Sequence, residues 1–121
     1  MEEFKLTQKL EDLEAWLKPR LDSFPRAEKW GAALEIKRSL YRLQWHAIRV
    51  QKTPRRMHKR KVGAVMALDE ELDFLRTRVR MANQQRMLSH RSHKHATRLL
   101  SEIGKMVGGL QSQVLRQGAQ P

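Results

Sequence analysis

The stretch VMALDEELDFLRTRVRMA, residues 65–82, decides the fold that this sequence predicts. Its apolar residues recur at steps of three and four, and they are Val65, Leu68, Leu72, Leu75, Val79 and Ala82. This spacing places them on one side of an α-helix, with the charged residues between them on the other sides. The stretch therefore predicts a long amphipathic helix that packs against other helices.

The same periodicity occurs in three other parts of the chain. A first helix is expected over about residues 3–21, and its apolar stripe consists of Leu6, Leu10, Leu13, Leu17 and Leu21. Pro19 and the FPR sequence at 24–26 indicate where this helix ends. The last helix is expected over about residues 90–115, with Ser89 as its N-terminal cap.

The second expected helix, about residues 26–51, is apolar on two sides. One stripe consists of Ile36, Leu40, Leu43, Ala47 and Val50, and the other of Trp30, Leu34, Tyr41, Trp45 and Ile48. A helix with two apolar sides needs more than one neighbour. We interpret Tyr41 and Trp45 as core or interface residues, and stacking on unpaired bases is the alternative.

These segments predict an all-α protein, an antiparallel up-down-up-down four-helix bundle. The third helix is expected over about residues 54–86, with Thr53 as its cap and Pro54 in its first turn. We expect a single domain over residues 1–117 and a frayed tail over 118–121. No segment alternates with period two for long enough to form a strand.

Length and composition narrow the class of protein. The chain has 121 residues and no Cys, so it forms no disulfide and no thiolate metal site. No apolar run approaches the roughly 20 residues that a membrane span requires. The N-terminus is acidic and amphipathic, unlike a signal peptide. We therefore expect a cytoplasmic protein.

The distribution of charge is more informative than its total of +12. Residues 36–68 carry ten basic side chains and no acidic one, and residues 69–75 carry four acids. Residues 76–121 carry nine basic side chains, and Glu102 is their one acid. The like charges within each basic block repel one another, which indicates a polyanionic partner.

The basic side chains that we predict to bind nucleic acid lie on the second, third and fourth helices and in the turns between them. They are Arg38, Arg42, Arg49, Lys52, Arg55, Arg56, Lys59, Arg60, Lys61, Arg76, Arg80, Arg86, Arg91, Lys94 and Arg98. We expect them to form a continuous positive surface. Such a surface contacts phosphates and gives affinity without choice of sequence.

The sequence contains no pattern of catalytic residues. There is no Cys nucleophile, no phosphate-binding Gly loop and no carboxylate pair beside a His at helical spacing. In HRSHKH, residues 90–95, His90 and His93 share a helix face but His95 does not, which favours a basic patch over zinc. We expect the acidic stretch at 68–73 to pair with nearby arginines. The sequence thus predicts a protein that is not an enzyme and holds no metal or cofactor.

Three segments resemble the accessory variability determinant (Avd) proteins of diversity-generating retroelements. They are LTQKLEDLEAWLKPRLDSFPRAEKW (6–30), LDEELDFLRTRVRMANQQRMLSHR (68–91) and ATRLLSEIGKMVGGL (96–110). The resemblance implies a four-helix-bundle protomer in a homopentameric barrel with a basic surface. It also implies two partners, the retroelement's reverse transcriptase and its template RNA, and a requirement in the mutagenic copying of that RNA into cDNA.

Two other functions fit the sequence. The first is a four-helix-bundle scaffold that docks an acidic protein, or another structured RNA, without a role in a retroelement. The second is a helix bundle on a membrane surface. The basic stretches lack an adjoining Trp, Phe or Leu face for insertion, which disfavours the membrane.

Overall fold

The computed structural model describes the backbone of residues 2–119 and the side chains of residues 5–118. It contains four α-helices: α1 (Glu2–Leu21), α2 (Ala32–Lys52), α3 (His58–Gln84) and α4 (His90–Ala119). A short 3-10 helix, Arg26–Glu28, precedes α2. No strand occurs in residues 2–119, so the prediction of an all-α, four-helix protein is confirmed.

Each helix packs against the next one in the chain, and α4 returns to pack against α1. Contacts between side chains give the direction of α1 relative to both neighbours. Lys18 of α1 contacts Tyr41 of α2, and Asp22, just after α1, pairs with Lys37 of α2. Between α1 and α4, Lys9 pairs with Glu102 and Trp16 packs against His95. In both sets one residue number falls as the other rises, so these helices run antiparallel.

The predicted apolar stripes form the core, with one exception. The five leucines of α1 and the six apolar residues of the 65–82 stretch are buried, as is the first stripe of α2. The second stripe of α2 is not in the core of the protomer. Trp30, which precedes α2 in the structure, is 85% exposed, and on the helix itself Trp45 is 59% and Tyr41 46% exposed. This stripe lies on the side of α2 that faces away from the other helices.

The start of α2 corrects the sequence-based prediction, which placed it at Arg26. Pro25 begins a tight turn in which the Glu28 N–H donates to the Pro25 carbonyl at 2.8 Å, and this turn remains a 3-10 helix. The backbone then breaks at Gly31, with φ −109° and ψ −106°. The helix proper begins at Ala32, whose N–H donates to a Glu28 carboxylate oxygen at 3.3 Å.

The start of α3 is also later than predicted, at His58 and not at residue 54. Proline disfavours helical backbone in the residue before it, so Thr53 is extended, with ψ 119°. The Thr53 hydroxyl donates to the Arg49 carbonyl at 2.6 Å, so Thr53 ends α2 and does not cap α3. A turn over residues 54–57 leads into α3.

The α3–α4 connection is tight. Helix α3 ends at Gln84, two residues before the predicted end, because Arg86 takes a left-handed conformation with φ 63°. The predicted cap at Ser89 is confirmed, since its hydroxyl accepts the Ser92 N–H at 3.1 Å. Helix α4 continues to Ala119, beyond residue 115, where the sequence placed its end. Residues 120 and 121 lie outside the described residues.

Candidate nucleic-acid interface

The structure divides the predicted cationic side chains into three groups by position and by pairing. The turn cluster, around the α2–α3 turn, contains Arg49, Lys52, Arg55, Arg56, Lys59, Arg60 and Lys61. The corner cluster, around the α3–α4 connection, contains Arg80, Arg86, Arg91, Lys94 and Arg98. The paired group contains Arg38, Arg42 and Arg76, each of which binds a carboxylate. The two clusters lie near opposite ends of α3, and their nearest members on this helix, Lys61 and Arg80, are roughly 28 Å apart along it at 1.5 Å per residue.

Arg42 is the most tightly held member of the paired group. Its Nε donates to Glu71 Oε1 at 2.7 Å and its Nη2 to Glu71 Oε2 at 3.2 Å. The Ser39 hydroxyl, which is fully buried, donates to the same carboxylate at 2.8 Å. The Glu71 side chain is only 11% exposed, so its charge depends on these partners. Arg42 therefore joins α2 to α3, and its charge is already compensated.

Titration of Glu71 follows from this environment. Burial alone would raise the pKa of Glu71, but the hydrogen bonds from Arg42 and Ser39 and the Arg42 charge outweigh it, so the pKa is lowered. The hydrogen bond to Glu71 raises the pKa of Arg42 against a smaller opposing effect of burial. Both shifts favour the charged forms, as expected for a structural ion pair.

The other two paired arginines bind acids on their own helices. Arg38 lies 3.2 Å from Glu35, one turn earlier in α2, and both side chains are largely exposed. Arg76 lies 3.0 Å from Asp73, which confirms the predicted pairing within the acidic stretch. Exposed pairs of this kind contribute little to stability, about 0.3–0.5 kcal/mol, and can exchange for another anion.

The turn cluster is presented by the short connection between α2 and α3. The Met57 N–H donates to the Pro54 carbonyl at 2.9 Å, and this closed turn points the side chains between them outward. Arg55, Arg56, Lys59 and Arg60 are exposed, and none forms an ion pair within the part of the chain that the structure describes. Four cations without carboxylate partners are thus concentrated at one end of the bundle.

Trp45 borders the turn cluster. The Arg49 guanidinium lies 5.1 Å from the centre of the Trp45 ring, a cation–π distance. Trp45, Lys52 and Arg60 line a shared depression beside Pro54. Trp45 therefore links the exposed stripe of α2 to the cationic turn.

His46 lies on α2 between the paired group and the turn cluster. Its Nδ1 atom is buried and has no hydrogen-bond partner within the described part of the chain. Burial lowers the pKa of His46, and the positive charges of Arg49 and Arg42 lower it further, while Glu71 opposes them. His46 is therefore neutral at pH 7.

The corner cluster surrounds the predicted histidine patch, whose three members have separate environments. His90 Nδ1 lies 3.0 Å from the Asn83 amide, and His95 Nδ1 lies 2.6 Å from Arg98 Nη2 and packs on Trp16. His93 lines a cleft between α3 and α4, together with Arg80. No three His, Asp or Glu residues in the described part of the chain converge as metal ligands.

Sequence reasoning missed Thr97 and Ser101, which line the same cleft as His93. Their spacing was the available signal, because residues 93, 97 and 101 recur every fourth position and so share one helix face. The pairing of Ser39 and Arg42 with Glu71 was also missed. No local signal joins residues about thirty positions apart in a single sequence.

Among the described residues, no helix has an apolar segment long enough to cross a bilayer.

The fold and the site together define a class: a small helical-bundle protein without strands in its described residues, which carries two separate cationic clusters. Within this class, the bAvd-like family model matches residues 4–114. The chain belongs to the bAvd-like family, and its resemblance to accessory variability determinant proteins is thereby confirmed. No curated protein matches the chain.

Proposed function

We propose that this protein is a non-catalytic accessory subunit of a diversity-generating retroelement. In this role it binds the template RNA and the reverse transcriptase, and it supports mutagenic synthesis of cDNA. Membership of the bAvd-like family supports the retroelement context. The observation that carries the binding role is the turn cluster, where Arg55, Arg56, Lys59 and Arg60 are exposed and have no carboxylate partner among the described residues.

Phosphate contact explains why such a cluster is useful. Each Lys or Arg that neutralises a phosphate releases a condensed counterion, so affinity rises steeply as salt falls. Arginine adds a planar fork of donors that matches two phosphate oxygens. A rigid turn between two packed helices holds these donors in place, which reduces the entropy lost on binding. The turn cluster is therefore proposed as the main RNA contact.

Binding to RNA and a functional readout together test this proposal. The purified protein is titrated against the template RNA over a range of salt concentrations, and the log–log slope is measured. Several phosphate contacts predict a slope of several units, at about 0.7–0.9 per contact. The same protein is then added to the reverse transcriptase on its template, and cDNA with mutations is expected only in its presence. A slope near zero, or identical cDNA without the protein, contradicts the proposal.

We also propose that the protomers self-associate through the outward stripe of α2. Tyr41, Trp45 and Ile48 are each about half exposed or more, on the side of α2 opposite its buried stripe. A second apolar site lies in the groove between α3 and α4, where Met66 and Leu115 are exposed. Two different apolar faces suit head-to-tail contacts, which close into rings. The resemblance to Avd proteins implies a ring of five.

Measurement of mass in solution tests the assembly. Trp45→Glu with Ile48→Glu places two charges on the stripe, and Gln51→Glu, at an exposed position of α2 off the stripe, is the matched control. The wild type and the control are expected as one multimer, and the double variant as a smaller species of unchanged helix content. A monomeric wild type, or a double variant of wild-type mass, contradicts the use of this face.

The scaffold alternative differs in what the cations bind. An acidic protein partner would remain bound after nuclease treatment, because RNA would not bridge the two proteins. Capture of an acidic protein partner before and after nuclease treatment separates the cases, because the proposed function also includes binding of the reverse transcriptase. Complete loss of the partner with nuclease supports RNA as the bridge, and full retention supports direct docking.

A further inference from the structure

A cleft between α3 and α4 lies near the corner cluster and away from the turn cluster. Its volume is about 240 Å³, several times the roughly 30 Å³ that one water occupies in the liquid. Val79 and Leu100 form its apolar part. Its polar lining consists of Arg76, Arg80, His93, Thr97 and Ser101. The exposed surface of the lining is mostly apolar, and no carboxylate is among the lining residues, so an anion held by the polar side chains would meet no like charge from the lining.

Arg76 forms a fixed wall of this cleft. Its Nη1 donates to Asp73 Oδ1 at 3.0 Å, and its Nη2 donates across the helix interface to the Leu100 carbonyl at 3.3 Å. This placement requires Gly104 on α4, because a Cβ atom at residue 104 would run into Arg76 Nη2. The charge of Arg76 is compensated by Asp73. Arg76 therefore shapes the cleft, and the positive charge that is available to a ligand comes from other residues.

Arg80 supplies that charge. It is exposed, lies one turn after Arg76 on α3, and forms no ion pair with any residue in the described part of the chain. Lys94 and Arg98, on the neighbouring turns of α4, are exposed as well. No acid is among the residues that line the cleft, so none of the lining residues offsets the charge of Arg80.

Two hydroxyl groups and an imidazole face Arg80 from α4. Thr97 and Ser101 make no hydrogen bond to the described residues, although helical hydroxyls often bond to their own helix. Thr77 on α3 shows that usual arrangement, since its hydroxyl donates to the Asp73 carbonyl at 3.0 Å. Thr97, Ser101 and His93 therefore retain donors for a ligand.

We propose that the α3–α4 cleft binds one phosphate group of a nucleic acid, held by Arg80, by the hydroxyls of Thr97 and Ser101 and by His93. A guanidinium beside hydroxyl donors matches the several oxygens of a phosphate better than it matches a single acceptor. The identity of that nucleic acid as RNA rests on the proposed function. The phosphate belongs either to the backbone or to a 5′ end, and both present the same oxygens.

Substitutions that remove hydrogen-bond donors and leave the net charge unchanged test the cleft. Thr97→Val with Ser101→Ala is expected to weaken RNA binding about 30-fold, in line with roughly 1 kcal/mol for each of the two lost hydrogen bonds. The salt slope of this variant should equal that of the wild type. Arg80→Gln should weaken binding and reduce the slope by about one. Thr77→Val is the matched hydroxyl control and Lys105→Gln the matched charge control, and both should bind as the wild type does.

The source of the phosphate is decided with two RNAs of one sequence, one with a 5′-phosphate and one with a 5′-hydroxyl. Equal affinities for both, with the same losses in the cleft variants, indicate a backbone phosphate. If removal of the 5′-phosphate lowers the affinity of the wild type as much as the double substitution does, the bound phosphate is the terminal one. Either result supports the cleft as a phosphate site.

Failure of the cleft is distinguishable from failure of the proposed function. A wild type that binds RNA with a steep salt slope, beside cleft variants of wild-type affinity, overturns the cleft alone. A wild type that binds no RNA overturns the proposed function, and inorganic phosphate then decides the cleft. Phosphate should raise the melting temperature of the wild type above that in chloride at equal ionic strength, and it should not do so for Arg80→Gln. The same rise in both proteins, or in neither, overturns the cleft.

Discussion

Arg42 and Arg56 are less than fifteen residues apart in sequence, yet the fold uses their charges in opposite ways. Arg42 binds Glu71 through two hydrogen bonds, and Glu71 is nearly buried. Arg56 stands on an exposed turn with no carboxylate partner among the described residues. The first arginine stabilises the α2–α3 contact, and the second is free for an external anion. The number of basic residues in a segment therefore does not measure the charge available for binding.

The largest effect is expected from neutralising the turn cluster. Replacement of Arg55, Arg56, Lys59 and Arg60 by Gln should reduce RNA affinity about 100-fold near physiological salt and reduce the salt slope by about three to four. Thermal stability should change little, since surface substitutions are usually within about 0.5 kcal/mol. Anisotropy titrations and thermal melts give both quantities.

The control for that variant has the same net charge. Lys5, Lys29, Lys105 and Arg116 are exposed and lie outside both clusters, and their replacement by Gln removes four positive charges as well. If both variants lose equal affinity, net charge alone explains binding, and the distinction between the groups of cations fails.

The next largest effect concerns stability, for which Arg42 should matter and Arg56 should not. Arg42→Met keeps the apolar stem but leaves the Glu71 carboxylate without its charged partner, so it should destabilise the fold by about 2 kcal/mol. Urea unfolding gives the value, with Arg56→Met expected near zero.

A double variant separates the ion pair from the packing. Arg42→Met with Glu71→Gln removes both charges and should recover part of the loss. A single Arg42→Met variant as stable as the wild type would show that Glu71 is hydrated well enough to need no partner.

A smaller effect is expected from pH. The pKa values of His46 and Glu71 are both lowered in the folded protein, so the unfolded chain binds protons first as pH falls. Stability should therefore decrease as pH falls below the ordinary His value of 6.5, through His46, and again below the ordinary Glu value of 4.5, through Glu71. Urea unfolding from pH 7.5 to about pH 3 measures both steps.

His46→Gln isolates the first step. This variant should lose the decline that begins near the ordinary His value of 6.5, and His90→Gln controls for the loss of an imidazole. An unchanged profile in His46→Gln would assign the decline to another group.

The smallest effect tests whether the contacts of Arg76 contribute to stability, as those of Arg42 in the paired group are expected to do. Gly109→Ala meets open space and should stabilise α4 by about 0.5–1 kcal/mol through helix propensity. Gly104→Ala has the same propensity but displaces Arg76 from the Leu100 carbonyl, so its gain should be close to zero. In an Arg76→Met background the two substitutions should become equal, and a persistent difference would place the cause elsewhere.

The helical fold was predictable because burial follows a simple period. Leu68, Leu72 and Leu75 are fully buried where the 65–82 pattern requires it, and Ser89 caps the helix that it was expected to cap. The starts of α2 and α3 were less predictable. Proline permits either a first helical turn or a separate turn, and at Pro25 and Pro54 the chain forms the separate turn.

The candidate site was predictable in composition but not in arrangement. The sequence indicates that residues 36–68 are basic, and the bundle places only the turn cluster of this block at the end opposite Arg86 and Arg91. Which arginine meets Glu71 depends on the register between two helices, and this register is a property of the whole packed core. The same is true of the cleft that brings Arg80 to Thr97.

The left-handed backbone of Arg86, with φ 63°, has a consequence for the engineering of this protein. Glycine would relieve about 1 kcal/mol of strain at this corner, and it would also delete one member of the corner cluster. A screen of random variants for heat resistance alone would therefore select Arg86→Gly. The selected proteins would be more stable, but they would bind the proposed polyanion less tightly. Selection for both traits at once is needed to keep the corner intact.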